Sequence, residues 1–202
     1  MMLLTNGMGM LMRPMANLAN LLTLLRVLLI PMMVLTFYMP FVWAHILAAG
    51  FFAIAAVTDW LDGLVARRMH IESPFGAFLD PVADKMIVAV ALILVATEHG
   101  GALLGIPAAV IIGREIFISA LREWMAELGK RASIAVSMLG KLKTALQMVA
   151  LLLLLIYTPG FFSSKIILHV GFICLYLSMF LTLWSMVVYI RLAWPDLTID
   201  HK

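Results

Sequence analysis

The sequence predicts an all-α integral membrane protein, six transmembrane helices in a single bundle with an N-terminal juxtamembrane segment. Three observations carry this. Of 202 residues, 64% are hydrophobic and 12% charged, a balance outside the range of soluble globular chains. The apolar residues gather in six stretches, each approaching the roughly twenty that a bilayer core requires. Lys and Arg crowd alternate connections between those stretches, as the positive-inside rule expects of a polytopic chain. In that setting the formal net charge of +3 bears on topology, and no nucleic-acid partner is expected.

Residues 1–15 hold no acid and one base, Arg13, and a loosely ordered start is expected there. The first span, about 15–39, lacks a basic leader followed by a small-residue cleavage site, so it is expected to be retained as a helix. Its opening carries Asn17, Asn20, Thr23 and Arg26 at helical spacing, a polar stripe entering the membrane. Further spans are expected at about 42–64, 81–96, 103–121, 139–157 and 165–189. Arg67, Arg68 and Lys85 flank the second connection, and Arg122, Lys130, Arg131, Lys141 and Lys143 flank the fourth. Arg13, Arg191 and Lys202 mark the ends. The first and third connections have no Lys or Arg, and the fifth has only Lys165. Both termini and the acid-rich second connection therefore face the cytoplasm.

Tyr38, Trp43, Tyr157, Trp184 and Trp194 lie near expected helix ends, where interfacial aromatic belts form. Gly50, Gly105, Gly113 and Gly171 are read as close-packing positions between helices. Cys174, the one cysteine, is read as a small buried hydrophobe. His45, His70, His99 and His169 are read as loop or helix-end imidazoles rather than ligands, and His201 lies in the tail. With no repeat or linker, residues 1–202 are expected to form one domain.

Against this apolar background residues 58–85, TDWLDGLVARRMHIESPFGAFLDPVADK, stand out. Ionisable side chains in or at the edge of spanning helices are expensive and mark a site by default. Asp59, Asp62, Gly63, Ala66 and Arg67 fall at offsets of three and four, on one side of a helix. Asp80 and Asp84 are a turn apart, with Pro81 placed to open a second helix. Four carboxylates from two helices suit hard dications such as Mg²⁺ or Mn²⁺. No Cys or His pair nearby argues for zinc.

The pattern D-x-x-D-G-x-x-A-R, eight residues, then G-x-x-x-D-x-x-x-D resembles the signature of the CDP-alcohol phosphotransferase family. It is met by Asp59, Asp62, Gly63, Ala66, Arg67, Gly76, Asp80 and Asp84 without departure. Specified positions at fixed spacing over such a length are a strong signal. The resemblance implies a bacterial inner-membrane, multi-pass enzyme that moves a phosphatidyl group from CDP-diacylglycerol to an alcohol and releases CMP. It also implies two divalent cations held by Asp59, Asp62 and Asp80 with Asp84 near them, and Asp84 as the base that takes the acceptor proton. Asn20, Thr23, Gly63, Ala66, Arg67 and Ser73 then lie at nucleotide-binding positions, and a homodimer is expected. One departure is Ala19, where relatives usually have a proline or similar breaker.

The segments REIFISALREWMAELGKR and SMLGKLKTALQ are similar to the bacterial branch of the family that uses sn-glycerol 3-phosphate. Arg114, Lys141 and Lys143 are then the expected partners of the acceptor phosphate, arginine offering a bidentate fork. No activated Ser, Cys or His accompanies the acids, so direct displacement at phosphorus without a covalent enzyme intermediate is expected. A cardiolipin or phosphatidylserine synthase would share the acid motif with another acceptor. A cation transporter would place its acids near the bilayer midplane, often within a repeat. An intramembrane prenyltransferase would need a second acidic motif, which this sequence lacks.

Overall fold

The computed structural model describes residues 4–69, 74–99, 101–127, 138–158 and 164–197, with side-chain surroundings for 21–59, 78–99, 101–127, 140–158, 164–191, 193 and 194. Among them are six α-helices and no β-strand: α1 (Leu4–Phe37), α2 (Ala44–Met69), α3 (Pro74–His99), α4 (Ala102–Glu127), α5 (Met138–Ile156) and α6 (Lys165–Leu197). The expected all-helical architecture is therefore present. By length and composition, α4 and the Lys165–Arg191 part of α6 can each cross a membrane. The apolar runs Leu21–Phe37 of α1 and Ala44–Asp59 of α2 are shorter.

Most helices outrun the apolar stretches that announce them. α2, α3 and α4 have 26 residues each, about 39 Å at 1.5 Å per residue, against a hydrocarbon core of about 30 Å. Their polar ends stay helical beyond it. Arg122 accordingly lies inside α4 rather than in a connection, and Lys130 and Arg131 fall outside the described residues. α1 begins at Leu4, where a loose start was expected. Leu and Met are good helix formers, and Ala19 supplies no break. α3 begins at Pro74, which takes the first-turn position expected for Pro81. Pro81 is an interior residue of α3, where it removes one backbone hydrogen bond. Lys85 is consequently well inside the helix.

Cα proximity groups the chain into two compact units, 1–94 and 95–202. In the first, α1 packs along α2. Leu29, Ile30, Met33 and Phe37 bury one face of α1, while α2 buries Ala48, Ala49, Phe52 and Ala55. The alanines let the backbones approach. The connecting turn is short: the Met39 N–H donates to the Thr36 carbonyl at 3.2 Å and the Ala44 N–H to the Phe41 carbonyl at 3.1 Å.

In the second unit α6 packs against both α5 and α4. Its inward face reads Gly171, Leu175, Ser178 and Thr182, all buried, while Ile166, Ile173, Leu177, Phe180 and Trp184 are exposed. Small and polar residues inside with large apolar ones outside suit a lipid-facing helix, not a soluble one. Trp184 sits in the interior of α6 rather than at a helix end, contrary to expectation; Trp43 and Trp194 do lie near ends. Cys174 is half-buried. His99 is the last residue of α3, the helix-end position expected; its Nε2 is 2.9 Å from the Leu154 carbonyl and its ring packs edge-on against Tyr157 at 5.3 Å. Between α3 and α4, Gly101 has φ of 70°, a left-handed conformation that glycine takes without steric cost.

Of the four glycines expected at tight crossings, Gly171 alone is at one among the described residues. A Cβ added there would lie 2.8 Å from Leu154 Cγ, whereas one at Gly50, Gly105 or Gly113 would meet nothing within 4 Å. Gly171→Ala is expected to destabilise the protein by about 1–3 kcal/mol through overpacking, read as a lower thermal midpoint in detergent. Gly50→Ala should leave that midpoint unchanged or raise it, since alanine is favoured in helices by about 1 kcal/mol.

Candidate active site

Three consecutive helices of the first unit bring polar side chains together. On α1, Thr23 and Arg26 are three residues apart, hence on one face, and each is 1% exposed. Thr23 Oγ1 donates to Asp80 Oδ1, and Arg26 Nη1 donates to Asp84 Oδ1. The same Nη1 lies 3.6 Å from Asp59 Oδ1 on α2. The pairs 23–80 and 26–84 advance together, so α1 and α3 run in the same sense there, as two helices separated by one return helix must.

The carboxylates and the guanidinium differ sharply in exposure. Arg26 is sealed in, while the side chains of Asp59 and Asp84 are 44% and 40% exposed. Each acid therefore turns one side to a buried cation and keeps another side open. A guanidinium in apolar surroundings needs such partners, because an uncompensated buried charge costs several kcal/mol. Behind Asp59, Thr58 Oγ1 satisfies itself on the Ala55 carbonyl at 2.8 Å and takes no part in the cluster.

The expected site residues are thus partly accounted for. Asp59, Asp80 and Asp84 come together, and Thr23, expected at the nucleotide, also buttresses Asp80. The side chains of Asn20, Asp62, Gly63, Ala66 and Arg67 lie outside the described residues, although their backbone belongs to α1 and α2; Ser73 lies outside altogether. Among the described residues no three acidic, imidazole or thiol side chains close around a single point tightly enough to hold a metal. The donors nonetheless fit a hard dication in kind, being carboxylate oxygens. Arg26 shows that the point where Asp59 and Asp84 meet accommodates positive charge.

Sequence reasoning marked Arg26 as part of a polar stripe but assigned it no role. The available signal was the cost of a lone arginine in an apolar helix, which demands a named partner. Nothing local in sequence said that the partners lie on two other helices.

A second polar group belongs to the second unit. Arg114, buried on α4, donates through Nη1 to Glu115 Oε1 at 2.7 Å and through Nη2 to Ser185 Oγ on α6 at 2.8 Å. Lys143 of α5 donates to the same Glu115 oxygen at 3.2 Å. Arg122 donates to the Tyr189 hydroxyl at 2.6 Å and lies 5.1 Å from that ring's centre, a cation–π distance. Arg114 Nε is buried without a hydrogen-bond partner among the described residues. Two cations, Arg114 and Lys143, thus share one carboxylate, and Tyr189 links Arg122 to the same end of α4. Lys141, expected with them, is exposed on the first turn of α5 and joins no hydrogen bond or ion pair of the cluster.

The CDP-alcohol phosphatidyltransferase family model matches residues 16–184, a range that takes in both polar groups except Ser185 and Tyr189. The chain belongs to that family. A Pseudomonas fluorescens protein named CDP-diacylglycerol--glycerol-3-phosphate 3-phosphatidyltransferase is 54% identical over 187 residues, covering 92% of this chain and 94% of its own length. Proteins of the same name from Pectobacterium atrosepticum and Salmonella choleraesuis are 55% and 52% identical, each covering 90% of this chain and 97% of their own length. Members of the CDP-alcohol phosphatidyltransferase family typically depend on divalent metals, in keeping with the carboxylates of the first unit.

The Thr23–Asp80 contact is a hydrogen bond to a charged group, worth about 1.5–3 kcal/mol. Thr23→Val, nearly the same shape without the donor, is expected to lower the thermal midpoint in detergent. Thr23→Ser should retain it; equal losses in the two variants would place the effect in packing rather than in the hydroxyl.

Proposed function

We propose that this chain transfers the phosphatidyl group of CDP-diacylglycerol to sn-glycerol 3-phosphate, giving phosphatidylglycerol phosphate and CMP. The observation that carries the reaction type is the meeting of Asp59, Asp80 and Asp84 in a chain matched along most of its length by the family model. The acceptor is supported by the names of relatives 52–55% identical over nine-tenths of the chain. The excess of cations over carboxylates around Arg114 is in keeping with an acceptor that bears a phosphate.

In this reading Asp59, Asp62, Asp80 and Asp84 hold two divalent cations, Mg²⁺ or Mn²⁺. Such ions supply Lewis-acid polarisation of phosphoryl oxygens and charge neutralisation of the leaving nucleotide. Asn20, Thr23, Gly63, Ala66, Arg67 and Ser73 receive the nucleotide, the small residues leaving helix backbone open to it. Arg114, Lys141 and Lys143 take the acceptor phosphate, with Glu115 yielding its cations to the incoming dianion. Asp84 accepts the acceptor hydroxyl proton through the carboxylate oxygen that Arg26 does not occupy, geometry coming before acidity in such a role. The hydroxyl oxygen then forms a bond to the lipid-bearing phosphorus as the bond from that phosphorus to the CMP oxygen breaks. No side chain becomes covalently attached. The enzyme would work as a homodimer in the bacterial inner membrane, crossing it several times, with termini and site facing the cytoplasm.

Purified protein supplied with CDP-diacylglycerol and Mg²⁺ is expected to release CMP with sn-glycerol 3-phosphate and not with serine, inositol or phosphatidylglycerol. Release with serine alone would overturn the acceptor. Asp84→Asn should lower kcat by roughly 10²–10⁴, the usual worth of a general base, with CDP-lipid binding retained. Arg114→Ala or Lys143→Ala should raise KM for sn-glycerol 3-phosphate by about tenfold or more, a lost charged hydrogen bond of about 1.5–3 kcal/mol. The KM for the CDP-lipid should change little; equal changes in both constants would mark these residues as structural.

A further inference from the structure

We propose that Arg26 is the built-in counter-cation of the carboxylate cluster and sets its affinity for divalent cations by competing with them for Asp59 and Asp84. This rests on the reading of those aspartates as dication ligands. Asp84 Oδ1 accepts from Arg26 Nη1, and Asp59 Oδ1 lies 3.6 Å from the same nitrogen. One guanidinium nitrogen thus stands between two acids from different helices. Two carboxylates that close repel each other, by about 4 kcal/mol at 4 Å and an effective dielectric of 20. The positive charge offsets that repulsion.

The exposure pattern sets the direction of the effect. Arg26 is 1% exposed and fixed on a helix whose neighbouring residues, Leu24, Leu25, Val27 and Leu28, are apolar. The acids are open on another side. A dication arriving from that side meets oxygens whose charge is already partly used, and it is repelled by the guanidinium behind them. Arg26 therefore keeps the acids gathered while making cation binding weaker and more readily reversed than four bare carboxylates would allow. Thr23, one turn earlier, holds Asp80 through a neutral hydroxyl. It orients that acid without competing for charge.

The test uses full-length protein in detergent, stripped with EDTA and titrated with Mn²⁺ followed by electron paramagnetic resonance, with thermal unfolding measured at each metal concentration. Arg26→Gln is expected to bind Mn²⁺ roughly tenfold more tightly or better, one unit charge within a few ångströms of the site being worth at least about 1.4 kcal/mol. Its metal-free thermal midpoint should fall, and Mn²⁺ should raise that midpoint by more than in the wild type. Arg26→Lys keeps the charge and should bind Mn²⁺ within about threefold of the wild type. Unchanged or weaker Mn²⁺ binding by Arg26→Gln overturns the proposal, as does a variant that Mn²⁺ stabilises no more than the wild type. Asp59→Asn serves as control: if the wild type binds Mn²⁺ no better than Asp59→Asn, the reading of the aspartates as dication ligands fails instead.

Discussion

A charged side chain withdrawn from water into an apolar helix must find its countercharge inside the protein, and Arg26 is that constraint here. Its partners lie on the two helices that follow α1 in sequence, Asp59 on α2 and Asp84 on α3. Satisfying one guanidinium therefore fixes how three helices align. A shift of α1 by one residue would rotate Arg26 by about 100° away from both acids. The cost of such a shift, a buried unpaired charge, is far larger than any gain available from repacking Leu29 or Met33. The apolar contacts of α1 with α2 supply adhesion, and the ionic contact supplies register.

The two polar groups share a design. In the first unit several carboxylates surround one cation, Arg26; in the second two cations flank one carboxylate, Glu115. Each group would repel itself apart without the residue of opposite sign. Among its described residues each also retains an excess of one sign, negative in the first and positive in the second. The charged side chains stand on helices rather than on loops, so their rotamers are restrained by neighbours. Ser185 and Tyr189 of α6 hold Arg114 and Arg122 in this way. Placement on rigid elements gives a site its precision.

The face of α6 explains how such charge is tolerated in an apolar setting. The helix turns Gly171, Ser178 and Thr182 inward and leaves Phe180 and Trp184 outside. Ser178 and Ser185 return their hydroxyls to their own helix, on the carbonyls of Leu175 and Thr182, each at 2.8 Å. Small inward residues bring helices close enough for a side chain of α4 to reach a hydroxyl of α6. The large ones are left exposed, as suits a lipid-facing helix.

The sequence by itself determined the class of protein, the number of helices, the acid motif and its family, because composition, helical periodicity and fixed motif spacing are properties of the chain read in one dimension. It determined helix ends poorly. Arg122 and Lys85 resemble loop charges in hydropathy yet lie inside helices, since a helix continues past the hydrocarbon boundary whenever its backbone bonds are still favourable. The glycines show a related effect: a glycine's role depends on what stands opposite it, and among the described residues only Gly171 of the four expected at crossings faces a neighbour, Leu154. What the tertiary structure alone decided was pairing. That Arg26 meets Asp59 and Asp84, that Thr23 meets Asp80 and that Lys143 meets Glu115 are contacts between residues 28 to 58 positions apart. Such contacts are set by how whole helices pack, because only the packed arrangement removes water from the charges and makes their pairing compulsory.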